Sequence, residues 1–199
     1  MVIREDLLLS VGADIITLNQ SDRLFGEDTP PEYYFQIMEG QVKLINFKTG
    51  DREFVQSIHN KGDSIGEVFL FCKHHRYPAT AIATKESKIL RLQHSGFVKL
   101  LESDFDLQLT FLRGCAQRTY FSYVFLNSLT SEDATHQLLT VLNHLKEEQN
   151  LTGNYSYKVL YSRKELSSLT GLRTETVIRL LKKLESEKVV QIVKGKVYY

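Results

Sequence analysis

Near Phe97 the apolar residues of this chain change their period, so the chain must build two kinds of structure. From Ile15 to about Leu92 the apolar runs are short, alternating and rich in β-branched and aromatic residues. Turn signals cut them at Glu39-Gly40, Thr49-Gly50-Asp51, Lys61-Gly62-Asp63 and Gly66. Such spacing predicts antiparallel strands joined by hairpins. Tyr33 to Met38 and Val42 to Phe47 flank the first of those turns, and Pro30-Pro31 falls where a missing N–H costs no ladder bond.

Beyond Phe97 the period lengthens. From Glu102 to about Leu129 there is no proline and one glycine, and apolar or small residues recur at Phe105, Leu109, Leu112, Ala116, Thr119, Tyr123 and Leu126. Alternating steps of four and three let a long helix present one seam to a partner helix, which predicts dimerisation through residues 102–129. A single buried helix within one domain is the alternative. A second stripe, including Phe111, Cys115, Val124 and Phe125, is expected to pack on the strands. Ser131-Glu132-Asp133 then opens a helix over Thr135 to about Gln149, with Leu138, Leu139, Leu142 and Leu145 as its apolar stripe.

Charge divides along the same line. Residues 1–150 carry 15 Lys and Arg against 20 Asp and Glu, a net −5, whereas residues 151–199 carry 10 against 4, a net +6. A basic C-terminal module suits a polyanion, since DNA is bound largely by neutralising its phosphates; a solvated basic surface is the alternative. With 199 residues, 42% of them hydrophobic, the chain can bury two small cores. Arg4, Glu5, Asp6 and Asp14 interrupt the apolar stretch near the start, so neither a signal peptide nor a membrane span is expected, and the cytoplasm is the expected location. Two cysteines, Cys72 and Cys115, are too few for a four-thiolate cluster and form no disulfide framework.

The densest local signal runs from Ser162 to Glu187. Ser162-Arg163-Lys164-Glu165 has the spacing of a capping box, Leu166 and Leu169 give the helix an apolar face, and Gly171 supplies a tight turn. Thr174-Glu175-Thr176 opens a second helix, on which Val177, Leu180, Leu181 and Leu184 share the buried face. Glu175, Ile178, Arg179 and Lys182 lie opposite. Residues near the start of a recognition helix enter the major groove, where arginine pairs with guanine and glutamate accepts from cytosine. Ile178 sits against a thymine methyl or packs on a wing. The tail alternates around Gly195 as a β-hairpin does, with Lys194 and Lys196 placed to touch phosphate.

Over nearly its whole length the chain resembles the Crp/Fnr family. The residues that carry the resemblance are Glu39-Gly40, then Gly62-Asp63-Ser64-Ile65-Gly66-Glu67 with Leu70-Phe71, and the run from Gly171 to Leu181. It implies an α+β chain: a jelly-roll-like antiparallel β-roll sensor with its dimerisation helix over residues 1–129, then a winged helix-turn-helix over residues 130–199. It further implies a homodimer that binds double-stranded DNA and recruits or blocks RNA polymerase. Thr174, Glu175, Thr176, Ile178, Arg179, Lys182, Lys194 and Lys196 become the DNA-binding set, with Glu175 and Arg179 reading bases. The family places an effector pocket at Gly66, Glu67, Arg76, Tyr77 and Ser122. Its cyclic-nucleotide members hold the phosphate with an Arg-Ser pair that aligns here with Tyr77-Pro78, and the adenine with a Thr-Ser pair that aligns with Phe121-Ser122. Cyclic AMP is therefore not the expected effector, and an unidentified small molecule or no ligand is. Cys72, His74 and His75 match no strong zinc or haem spacing, so neither a metal nor haem is expected. An enzyme with Cys72 as nucleophile lacks an orienting third group, so no catalysis is expected. A cyclic-nucleotide-binding regulatory module without DNA binding is the alternative function.

Overall fold

Among the described residues eight strands account for the alternating region: β1 (Asp14–Leu18), β2 (Arg23–Phe25), β3 (Tyr33–Glu39), β4 (Gln41–Lys48), β5 (Arg52–Asn60), β6 (Ser64–Ile65), β7 (Thr80–Ala83) and β8 (Ser87–Gln93). The computed structural model describes residues 3–48, 52–129 and 133–199, so the Thr49-Gly50-Asp51 turn and the Ser131-Glu132 helix start lie outside the described residues. The strands form two antiparallel sheets, ordered β1-β8-β3-β6 and β2-β7-β4-β5. Phe35 and Ile37 of the first sheet meet Val42, Leu44 and Ala81 of the second in one buried core, which makes the pair a roll. Strand neighbours are mostly distant in sequence. β8 pairs with both β1 and β3, Ile89 lying opposite Ile16 and Ile37.

The other face of the first sheet is covered by helices α1 (Glu5–Ser10) and α2 (His94–Ser103). Tyr34, Leu90 and Leu92 point that way, and Tyr34 stacks on Phe97 with centroids 4.4 Å apart. β3 is thus buried on both faces, which explains why its run from Tyr33 to Met38 is apolar or aromatic at every position but Gln36. Gln36 lies within this layer at 1% exposure. Its Oε1 accepts from Ile3 N at 2.9 Å and from Tyr34 Oη at 2.8 Å, and its Nε2 donates to Ile3 O at 2.7 Å. A buried amide satisfied in this way clips the N-terminal segment to the sheet.

The long helix, α3 (Phe105–Leu129), starts three residues later than its apolar pattern suggested. Asp104 is the reason: it leaves helical geometry at φ −140°, and its Oδ1 accepts from Leu107 N at 2.9 Å, capping the new helix. Of the expected seam, Phe105, Leu112, Ala116, Thr119, Tyr123 and Leu126 are exposed, and Leu109 is half-buried. The second stripe divides. Phe111 packs beside Phe97 under the roll as expected, whereas Phe125 joins the C-terminal core and Val124 is exposed. Periodicity marks a face as apolar without saying which neighbour covers it.

Two compact units divide inside α3, residues 1–117 and 118–199. In the second, α4 (Ala134–Glu147), α5 (Arg163–Thr170) and α6 (Thr174–Ser186) pack around Leu138, Leu142, Leu166, Val177 and Leu181. A hairpin of β9 (Gln191–Val193) and β10 (Lys196–Tyr198) closes the unit. Tyr157 and Tyr199 exchange two backbone hydrogen bonds of 2.9 Å, adding a third extended segment beside β10. Phe121 stacks on His144 of α4 with centroids 3.4 Å apart, and burial lowers the imidazole pKa to about 4. No helix among the described residues is long and apolar enough to cross a membrane.

Candidate nucleic-acid interface

The capping box forms as its spacing requires. Glu165 N donates to Ser162 Oγ at 3.2 Å, and Ser162 N donates to Glu165 Oε2 at 2.6 Å. At the far end of α5, Gly171 takes φ 72°, a left-handed conformation that ends the helix without the strain a Cβ would add. Ser167 Oγ then donates to Leu172 O at 2.6 Å, bracing the turn from below. Arg173, at φ −72° and ψ 147°, is the N-cap of α6.

Val177, Leu180, Leu181 and Leu184 bury one face of α6, all at 6% exposure or less. Four such anchors over two turns fix the helix about its own axis, and with it the direction of the opposite face. On that face Glu175, Ile178, Arg179 and Lys182 line one shallow depression. All four are exposed. Among the described residues none of the three charged ones has a hydrogen-bond or ion-pair partner, although Glu175 and Arg179 stand four apart, the spacing at which helical ion pairs form. Lys183, around the helix, pairs with Glu187 at 3.8 Å. Thr174 and Thr176 are half-buried beside the depression. On the hairpin, Lys194 and Gly195 form the turn at φ 46° and 75°, and Lys194 and Lys196 are exposed. Arg173 lies outside the set expected from the sequence. It is exposed at the start of α6, and its signal was a cation directly before the helix-opening Thr174-Glu175.

The candidate effector residues are arranged differently. Gly66, at φ 77°, leads into a single 3₁₀ turn over Glu67–Phe71, and Glu67 is 2% exposed. A Cβ at Gly66 would lie 3.0 Å from the rings of both Phe25 and Tyr77. Those rings stack with centroids 3.7 Å apart, and Phe69 meets Tyr77 edge-on at 5.9 Å. Aromatic carbon therefore fills the roll beside Gly66. Tyr77 Oη is buried and has no hydrogen-bond partner among the described residues. Burial raises its pKa, and the charges of Glu32 and Glu67 raise it further. Arg76 is exposed and donates from Nη1 to the Asp28 carbonyl. Ser122 is exposed in the other unit, where its Oγ donates to Arg118 O at 2.9 Å. Cys72, His74 and His75 are exposed, Cys72 Sγ lying 3.5 Å from Val68 O. Among the described residues no three His, Cys, Asp or Glu side chains group as a metal site.

Comparison with known proteins places both halves. The family model for the cyclic nucleotide-binding domain matches residues 15–104, and that for the Crp-like helix-turn-helix domain matches residues 136–198. The chain is 26% identical over 166 residues to the cAMP-activated global transcriptional regulator CRP of Salmonella typhimurium, covering 83% of this chain and 78% of that one. In fold it is similar to FixK2 from Bradyrhizobium japonicum, with TM-score 0.73 and 20% identity over 94% of this chain and 91% of that one. It is also similar to a CooA mutant from Carboxydothermus hydrogenoformans, with TM-score 0.75 and 18% identity over 98% and 87% of the two chains.

Proposed function

The chain belongs to the Crp/Fnr family of DNA-binding transcription regulators, and from that premise we propose how it binds and how it is controlled. It acts in the cytoplasm as a homodimer, by binding and not by catalysis. A second copy of α3 covers the exposed Phe105, Leu112, Ala116, Thr119, Tyr123 and Leu126. The two α6 helices then enter the major groove of double-stranded DNA about 34 Å apart, on a two-fold related site. Arg179 donates to guanine O6 and N7, and Glu175 accepts from cytosine N4. Thr174, Thr176, Ile178 and Lys182 border these contacts, while Lys194 and Lys196 bind phosphate. Held on a promoter in this way, the dimer recruits or blocks RNA polymerase.

The observation that carries this reading is the charged face of α6. Glu175, Arg179 and Lys182 are exposed and unpaired among the described residues, on a helix whose other face is locked into a core. Charges held in place and left without an internal partner suit a partner from outside.

The roll is the sensing unit, and cyclic AMP is not its effector. Where the cyclic-nucleotide members of the family carry an arginine and a serine for the phosphate, Tyr77 stacks on Phe25 and Pro78 has no N–H to offer. Glu67 and Gly66 remain, Arg76 is engaged by Asp28, and Ser122 bonds within its own helix. An unidentified small molecule acts on this unit, or the protein is controlled by its abundance. Any effector can shift DNA binding only by its difference in affinity for the two states.

In vitro selection of bound DNA from a random library, with and without cyclic AMP, tests both parts. The expected outcome is one palindromic motif under both conditions. A motif enriched only with cyclic AMP overturns the sensor assignment, and no motif under either condition overturns the DNA reading.

A further inference from the structure

We propose that Ile178 reads the 5-methyl group of a thymine, so that an apolar contact joins Glu175 and Arg179 in setting which DNA sequence is bound. The inference rests on the DNA reading above and specifies the base chemistry of that same surface.

Two placements were open to Ile178, and the structure separates them. Had it packed on the wing, it would join the apolar residues that border the C-terminal core, as Val189, Ile192 and Tyr199 do. It is not among them. Ile178 is instead 41% exposed and lines the depression with Glu175, Arg179 and Lys182. Its side chain therefore stands among the three charged groups aimed at the bases.

The major groove shows a protein donors, acceptors and a single kind of apolar feature, the thymine methyl. Guanine, adenine and cytosine all place polar atoms at the edge that an isoleucine would cover, and each would lose its water without gaining a hydrogen bond. Thymine loses least and buries a methyl. Isoleucine suits this task because a helix holds it in one dominant χ1 rotamer, so its apolar end is presented at a fixed place. At 1.5 Å of rise per residue, Ile178 stands about 1.5 Å before Arg179 and about 4.5 Å past Glu175 along the axis. The thymine it meets should thus lie within about two base pairs of the guanine that Arg179 reads, given the base-pair spacing of about 3.4 Å.

The test begins from the motif selected by the full-length protein. Each thymine of one half-site is replaced in turn by deoxyuridine, which removes the methyl and keeps the pairing, and the Kd of each duplex is measured by fluorescence anisotropy. We expect one position near the selected guanine at which deoxyuridine weakens binding about fourfold, the value of one buried methyl. In Ile178→Ser the same replacement should change Kd less than 1.5-fold, as a rough bound set by a lost methyl contact. Circular dichroism confirms that this exposed substitution leaves the fold intact. A wild type that binds every deoxyuridine duplex as tightly as the thymine duplex overturns the proposal and leaves the DNA reading standing. So does an equal loss in Ile178→Ser. Failure to select any motif overturns both.

Discussion

In the N-terminal unit Arg76 ends on the carbonyl of Asp28 and Glu67 is 2% exposed, whereas in the C-terminal unit Arg179 and Glu175 stand in solvent with no partner among the described residues. Both units carry charge on a well-packed scaffold, but in the roll Glu67 is buried and Arg76 is bonded to a backbone carbonyl, whereas Glu175, Arg179 and Lys182 of α6 are exposed and unpaired among the described residues. In the roll, the elements around Gly66 pack aromatic rings against one another, burying Glu67 and leaving the Tyr77 hydroxyl without a partner among the described residues. On α6 the hydrophobic anchoring lies on one side only, which leaves the charged side available. A surface built to bind a large polyanion can be recognised by such unpaired charges on a rigid support. A small-molecule sensor leaves no comparable mark, because the same burial that shapes a pocket also fills an ordinary core.

The inward packing of the roll is tested most directly at Tyr77. Tyr77→Ala should lower the urea unfolding free energy by about 3–5 kcal/mol, the usual cost of deleting a buried aromatic ring. Tyr77→Phe should raise it by about 1 kcal/mol, since it removes a buried hydroxyl without a partner. A near-neutral Tyr77→Ala would mean that the ring occupies a cavity meant for something else. The exposed face of α6 is tested at Arg179. Arg179→Ala should relax base preference at one position by about 1–3 kcal/mol and leave the thermal midpoint unchanged, whereas Lys194→Ala should weaken all sequences alike and reduce the salt slope by about 1. Binding titrations on single-base variants at several salt concentrations decide this, and equal loss of preference in both variants would sink the division of roles.

Smaller effects probe the scaffold beneath α6. Ser162→Ala removes one half of the capping box and should cost about 1 kcal/mol in chemical denaturation. The smallest effect near neutral pH belongs to His144. Its pKa is about 4 in the fold against about 6.5 unfolded, so between those values the unfolded chain binds more protons. The part of the stability that rests on burying His144 neutral should be fully present above pH 6.5 and be lost as pH falls towards 4. His144→Gln should flatten that decline in thermal midpoints measured between pH 4.5 and 7.5, and an unchanged slope would remove His144 as its cause.

Local chemistry was the legible part of the sequence. The capping box at Ser162 and Glu165, the turn at Gly171, the apolar stripe of α6 and the hairpin around Gly195 each depend on residues close in sequence, and each formed where the spacing placed it. The alternating runs likewise announced the strands. What they could not announce was that β8 lies between β1 and β3, because strand order depends on contacts across the length of the unit. A single aspartate inside an apolar period, such as Asp104, gives no warning that its side chain will cap a new helix. That Phe125 packs on the C-terminal core and not on the roll was illegible for a related reason: periodicity shows the face of a residue and not its neighbour. Around Gly66, the glycine and Glu67 were visible as a motif, but the stack of Tyr77 on Phe25 joins residues some fifty positions apart.

Lys194 holds a left-handed backbone at φ 46°, a conformation that suits glycine or asparagine better than a long side chain. The tip of the wing therefore keeps its charge against a local conformational preference. Selection for heat resistance alone should replace that lysine early, and on the phosphate contact proposed for it above the replacement would come at the expense of affinity for DNA. Retention of a cation at this position across a panel of evolved variants would show that attraction to phosphate outweighs the backbone's preference, and would measure in a living population a balance that no single crystal or titration captures.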